Sequence, residues 1–260
     1  LVFAILAMGL YTFVIKREKL PKKAPLNAWL LVILLGLLNF TLVRSLFILA
    51  LEIIPANTHA YLINFVGLVT LGLSALLLKE IPTKIQVGGA LLAVMGIHLY
   101  FGYDFLSEKS KENLASNGII LIVFAVFFLA LTNIVMRLLH TRFTGAISAN
   151  LIAFVALLAG GLPVVSYWLF NWQGLLQISW VNWGVITANG IIAMAMTMVV
   201  FNRAMRILKA YEASILASTG LIFTVFFSQL ILAESIGLTQ LGGIVLLLFG
   251  IVSVQAGTRS

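Results

Sequence analysis

The sequence predicts an all-α membrane protein, a multipass helical bundle built from two inverted-topology repeats. Of the 260 residues, 62% are hydrophobic and 9% are charged, whereas a soluble domain has roughly 45 to 50% apolar residues. The mean hydropathy is +1.14. Apolar runs recur along the chain, and one long segment is repeated at a fixed offset. Composition therefore excludes a soluble protein, and the repeat indicates how the helices are arranged.

Nine apolar runs are separated by short polar joints, and we expect each to form a membrane-spanning helix. The runs cover residues 1 to 15, 27 to 51, 57 to 78, 85 to 102, 117 to 136, 145 to 170, 180 to 202, 210 to 232 and 238 to 256. A membrane barrel would show alternating segments instead. The first run is shorter than the ~20 residues that a span needs. No initiator Met or signal-peptide pattern precedes it, so we expect the chain to begin within a helix.

Basic residues mark alternate joints and predict the sidedness of the helices. They occupy residues 16 to 23, 79 to 84, 137 to 142 and 203 to 209, and the C-terminal end. These joints and the C-terminus are predicted to be cytoplasmic, in a protein of the cytoplasmic (inner) membrane. The net charge of +8 then reflects membrane topology, so no nucleic-acid partner is expected. The lipid bilayer is the partner that this composition requires.

An internal repeat covers most of the chain. KEIPTKIQVGGALLAVMGI (79 to 97) aligns without gaps with AESIGLTQLGGIVLLLFGI (233 to 251), so that Glu80 corresponds to Glu234, an offset of 154 residues. The basic joints put Glu80 inside and Glu234 outside, which makes the two copies inverted repeats. We predict a first repeat over residues 1 to 103, lacking its first helix, a connecting loop over 104 to 116 and a second repeat over 117 to 257. A complete set would have five plus five helices.

Inverted repeats are a recurring plan of secondary transporters, because two pseudo-symmetric halves can exchange conformations and open a midplane site to either side in turn. The doubled signature reads FILALEIIPANTHAYLINFVGLVTLGLSALLLKEIPTKIQVGGALLAVMGI in the first copy and FNRAMRILKAYEASILASTGLIFTVFFSQLILAESIGLTQLGGIVLLLFGI in the second. It resembles the EamA-type permeases of the drug/metabolite transporter superfamily. The resemblance implies ten helices and transport of small metabolites, amino acids or drugs. One departure is that Gly67 and Gly220 lie where such proteins often have proline.

Arg44 is the strongest candidate for substrate binding. It lies within the apolar stretch NFTLVRSLFILALE, residues 39 to 52, where an arginine costs about 2.5 to 3.5 kcal/mol on insertion scales. It can face a wet cavity, pair structurally with Glu52 about two turns further on, or extend to the outer surface. We take the cavity as the working hypothesis, with Arg44 attracting a carboxylate or another anionic group.

Polar residues on two equivalent helices complete the predicted site. Tyr61 and Asn64 share a helix face with Asn57, and the equivalent helix of the second copy presents Tyr211 and Ser218, with Glu212 adjacent. Such residues either bond neighbouring helices or line a water-filled path, and the repeat favours the path. The secondary candidates are Asn57, Asn133, Asn189 and Thr197.

Other repeated residues have structural explanations. Thr83 and Gln86 fit a capping box. Glu80 and Glu234 precede helix starts, where a carboxylate is favourable; the alternative is that they carry protons. The glycines recur at intervals of eight, with a leucine (Leu92 or Leu246) midway, along one helix face and predict close packing of the two matching helices. They are Gly88 and Gly96 in the first copy, and Gly242 and Gly250 in the second.

The sequence thus predicts a secondary transporter, a permease or exporter of small polar metabolites such as amino acids or organic acids, with its site between the two repeats. The alternatives are an exporter of hydrophobic cationic drugs or amines and, from another class, a membrane-embedded enzyme or a structural subunit. No catalytic motif, metal site or cofactor is predicted, and the chain has no cysteine. The partners expected are the small-molecule substrate, a coupling proton and a second copy in a homodimer.

Overall fold

The fold is known from a computed structural model, which describes residues 1–21, 24–105, 117–170, 179–223, 226, 230 and 237–257. Within these ranges the chain forms helices that we number α1 to α9. Their bounds are α1 Val2–Ile15, α2 Leu26–Leu51, α3 Ala56–Ile63 continued by Val66–Leu73 and Ser74–Leu78, α4 Lys84–Phe105, α5 Asn117–Arg142, α6 Ala149–Phe170, α7 Trp180–Ala204, α8 Ala210–Phe223 and α9 Leu238–Ala256.

Seven of the described helices are long and apolar enough to cross a membrane, and α1 and α8 are shorter apolar helices. The predicted multipass helical fold is confirmed. The predicted connecting loop lies mostly in residues 106 to 116, and the end of the eighth apolar run lies in 224 to 232. Apart from Phe226 and Leu230, these residues are outside the described part of the chain.

The chain divides into two compact units, each drawing helices from both copies of the repeat. Unit 1 comprises Leu1–Ser45 and Val135–Leu208, and unit 2 comprises Leu46–Ile134 and Lys209–Ser260. In unit 1, α2 crosses α6 at a pair of glycines. A methyl group on Gly36 would lie 2.9 Å from the Ala156 Cα atom, and the Thr41 hydroxyl donates to the Gly160 carbonyl at 2.7 Å. Small residues therefore bring these two backbones into contact.

In unit 2, α4 packs closely against α9, its counterpart in the repeat. A methyl group on Gly89 would lie 2.8 Å from the Gly250 carbonyl oxygen, and one on Gly96 would lie 2.6 Å from that of Gly243. Contacts that advance along α4 run backwards along α9, so the two helices are antiparallel. Gly89 corresponds to Gly243 and Gly96 to Gly250 by the 154-residue offset. The two contacts are therefore related by a local pseudo-two-fold axis, as inverted repeats require.

The predicted glycine face was wrong by one position in each copy. Gly88 is exposed, with no atom within 4 Å of the position that a methyl group would take, and Gly242 meets only a Leu99 side-chain atom at 3.4 Å. Helix periodicity explains the difference. Residues seven apart drift only about 20° around a helix, whereas residues eight apart drift about 80°. Gly89 therefore shares its face with Gly96, and Gly88 does not.

The predicted capping box is confirmed, and half of it recurs in the second copy. The Gln86 Oε1 atom accepts from the Thr83 backbone N–H at 2.9 Å, while the Thr83 hydroxyl accepts from the Gln86 N–H at 3.3 Å. At the equivalent position, Gln240 Oε1 accepts from the Gly237 N–H at 2.9 Å. The repeat thus extends to side-chain geometry. Glu234 is outside the described residues.

Replacing Gly96 by alanine should lower the free energy of unfolding by about 1 to 3 kcal/mol, because the added methyl group forces α4 and α9 apart. Gly88→Ala is the matched control on the same helix; it meets open space and should be neutral or slightly stabilising. Unfolding of the full chain in mixed micelles with increasing sodium dodecyl sulfate measures both. Equal stability of the two variants would show that the glycine contact does not hold these helices.

Candidate functional site

The first feature of the candidate site is a matched interruption of α3 and α8. In α3 the helix breaks at Asn64, whose N–H bonds the carbonyl three residues back, that of Tyr61, at 3.3 Å. In α8 the corresponding break is at Ser218, whose N–H bonds the Ile215 carbonyl at 3.1 Å. The 154-residue offset relates Asn64 to Ser218. Discontinuous helices at equivalent places in two repeats are typical of transporter binding sites.

Asn64 and Ser218 were both predicted site residues, and the structure places each at the break of its helix. The Asn64 side chain donates to the Ala60 carbonyl at 2.6 Å and so bonds a backbone acceptor one turn earlier. Ser218 is buried. Neither helix has a proline at its interruption; instead, i→i+3 hydrogen bonds tighten the turn there. The departure at Gly67 and Gly220 therefore leaves the break intact.

Tyr61 and Tyr211 lie in the same buried cluster of unit 2. The Tyr61 hydroxyl bonds His98 Nδ1 at 2.9 Å. Tyr211 is fully buried, and its hydroxyl donates to Gln86 Oε1 at 2.9 Å. In this conformation both hydroxyls therefore hold helices together.

Glu212 is a buried carboxylate that the sequence pattern did not single out as a candidate site residue. It has 0% exposure, and its Oε1 accepts from Gln86 Nε2 at 3.0 Å while its Oε2 accepts from the Lys209 N–H at 2.9 Å. Glu80 reaches the same helix start, because its Oε2 accepts from the Ala210 N–H at 3.4 Å and from the Ser74 hydroxyl at 2.8 Å. Two carboxylates thus meet at the N-terminus of α8, where the helix dipole favours negative charge.

Asn133, a secondary candidate, joins a polar cluster further along α8. Its Nδ2 donates to the Ser214 hydroxyl at 2.7 Å, and Ser214 donates to the Thr70 hydroxyl at 3.2 Å. Tyr211, Ser214 and Ser218 follow one another at i, i+3 and i+7 and share a face. That spacing is the signal by which Ser214 could have been found in the sequence.

Arg44 lies in unit 1, and its side chain is exposed. Among the residues described in this unit, none forms a hydrogen bond with its guanidinium group. It follows the π-helical turns Leu37–Val43 directly. The equivalent helix α7 has π-helical turns at Asn189–Met196, which overlap the same segment under the repeat offset. Wide π-helical turns are frequent at functional sites.

The other predicted residues lie apart from these clusters. Asn189 and Thr197 are exposed on α7, where Thr197 donates to the Ile192 carbonyl at 3.2 Å. Glu52, the partner considered for Arg44, is itself exposed. The side chain of Asn57 is outside the described part of the chain. Two of the secondary candidates are thus exposed on one helix of unit 1.

Comparison with known proteins identifies the family. The model of the EamA-like transporter family matches residues 1–102 and 116–255. A crystal structure described only as that of a protein has a TM-score of 0.75 against this fold at 16% sequence identity, covering 99% of this chain and 85% of its own; that likeness concerns the fold alone. None of the curated proteins compared matches the chain. Because the family model covers both repeats, the chain belongs to the EamA-like transporter family.

Proposed function

We propose that this transporter carries small polar metabolites, amino acids or organic acids, across the cytoplasmic membrane by alternating access of its two inverted repeats. The matched interruption of α3 at Asn64 and of α8 at Ser218 is the observation that carries the proposal. A short tightened turn within a helix often marks a functional hinge, and the equivalence of the two turns lets the two copies exchange roles as the protein opens to either side. The positions of the basic joints support a cytoplasmic C-terminus.

Arg44 supports an anionic group on the substrate. Arg44 is an exposed residue of α2, an apolar helix long enough to span a membrane, and a charge in such a helix needs a polar surrounding or a ligand. A carboxylate can accept two parallel N–H bonds from arginine. Within unit 2, Asn64 and Ser218 would bond polar groups of a substrate. Tyr61 and Tyr211 would contribute their hydroxyls by exchanging the present partners, His98 and Gln86.

Glu212 favours a second candidate function, export of hydrophobic cationic drugs or amines. A fully buried carboxylate is costly unless it is paired or hydrogen-bonded, and this one accepts from two donors. An ammonium group or a coupling proton could replace the Gln86 amide as its partner. Arg44 favours the first candidate instead, because a guanidinium attracts anionic groups and repels cationic ones.

Replacing Arg44 by glutamine should abolish flux of an acidic or zwitterionic substrate into proteoliposomes without reducing the amount of protein in the membrane. The reason is that the variant keeps the side-chain length and loses the charge that binds the carboxylate. Arg142→Gln, at the exposed end of α5, is the matched control and should transport normally. Unchanged flux by the Arg44 variant would refute the binding role.

The two candidate functions predict opposite patterns for a second variant. If the substrate is anionic, Glu212→Gln should still bind an acidic ligand, whereas Arg44→Gln should not. If the substrate is an amine, Glu212→Gln should lose binding of a hydrophobic ammonium compound and Arg44→Gln should retain it. Equilibrium binding of one acidic and one cationic ligand to both variants decides between them.

A further inference from the structure

Unit 1 contains a polar cavity of about 330 Å³ that has no part in the proposed transport site. The side chains that give it its chemistry are Glu18, Ser148, Asn150, Arg203 and Arg206. They come from the joint after α1, the start of α6 and the end of α7. All of these segments adjoin basic joints, so the cavity lies at the end of the helices that the charge pattern assigns to the cytoplasm.

The acidic wall of the cavity is held rigidly. Arg17 adopts a left-handed conformation with φ of 51°, and the next residue, Glu18, donates its N–H back to the Thr12 carbonyl at 3.0 Å. The Glu18 carboxylate accepts from the Ser148 hydroxyl through one oxygen and from Asn150 Nδ2 at 2.6 Å through the other. Ser148 also caps α6, since its hydroxyl oxygen accepts from the Leu151 N–H at 3.1 Å.

These contacts leave one polar atom of Asn150 without a hydrogen-bond partner in the described part of the chain. Asn150 has 6% exposure, and its Oδ1 atom is buried without a hydrogen-bond partner among the described residues. The bond from Nδ2 to Glu18 fixes which atom of the amide is the acceptor. A buried acceptor without a donor costs roughly 1 to 3 kcal/mol. Because Asn150 lines the cavity, a ligand that carries an N–H or O–H donor would supply the missing bond.

The opposite wall is cationic. Arg203 and Arg206 line the cavity and are exposed, so their guanidinium groups can reach a ligand. Two arginines against one glutamate leave one positive charge in excess. Arginine binds phosphate oxygens through parallel N–H donors. The ligand that matches both walls has an anionic phosphate next to a hydrogen-bond donor.

We propose that this cavity binds a phosphate group that carries a neighbouring hydroxyl or ammonium donor. Arg203 and Arg206 bind the phosphate, and the Asn150 Oδ1 atom and Glu18 accept from the donor. The same chemistry occurs in the headgroups of phosphatidylglycerol and phosphatidylethanolamine and in small phosphate esters such as glycerol 3-phosphate and phosphoethanolamine.

The test uses the full chain purified in detergent, with binding followed by native mass spectrometry and by ligand-induced thermal stabilisation. Phosphatidylglycerol and phosphatidylethanolamine should bind about fivefold more tightly than phosphatidylcholine, whose quaternary ammonium has no donor for Asn150. Glycerol 3-phosphate and phosphoethanolamine, tested separately, show whether a soluble ester suffices. Tighter binding of the lipids or of the soluble esters than of a phosphate compound without a hydrogen-bond donor supports the proposal.

Two variants test the contribution of each wall of the cavity separately. Arg203→Gln with Arg206→Gln should weaken all phosphate ligands about tenfold or more, whereas Arg142→Gln should not. Asn150→Ala should remove only the preference for ligands that carry a donor. Because Arg203 and Arg206 are exposed, the double variant should fold even if the asparagine variant does not. Unchanged affinity in the double arginine variant, or no preference over phosphatidylcholine in the parent chain, overturns the proposal.

Discussion

The close approach of α4 and α9 is the constraint on which the rest of unit 2 depends. Lipid tails are as apolar as leucine, so helices in a bilayer gain little from hiding apolar side chains against one another. Four glycines, Gly89, Gly96, Gly243 and Gly250, remove the side chains that would keep the backbones apart. Because these glycines are equivalent in pairs, the contact is symmetric, and it fixes the two repeat helices in opposite directions.

From this antiparallel pair, the hydrogen bonds extend to the helices that carry the candidate site. Gln86 lies in the first turn of α4 and bonds both Tyr211 and Glu212 of α8. The glycine contact therefore positions a glutamine that in turn holds the start of a broken helix. The break in α8 at Ser218 lies about two turns beyond Tyr211. The rigid pair and the irregular backbone are thus directly connected within one unit.

Hydropathy, basic joints and the repeat were sufficient to predict the helices, because length and apolar composition decide what crosses a bilayer. The capping of α4 by Gln86 was also predictable, since a capping box is local. The contacts between Gln86 and Glu212 were not, because they depend on which helices become neighbours. The prediction of the packed glycine face was wrong by one residue. Positions four apart lie on one face over a single turn, but after two such steps they have turned well away from it. The interruptions at Asn64 and Ser218 were not predictable, because no proline marks them in the sequence.

The central claim is that the two copies cross the bilayer in opposite directions, and its most direct measurement uses the absence of cysteine in the chain. Single cysteines are placed at Lys84, the first residue of α4, and at Gly237, which directly precedes α9 and is one residue from the position equivalent to Lys84. Each is labelled with a membrane-impermeant maleimide in vesicles of known orientation. If the copies are inverted, the two positions react from opposite sides of the membrane. Labelling of both from the same side would contradict it.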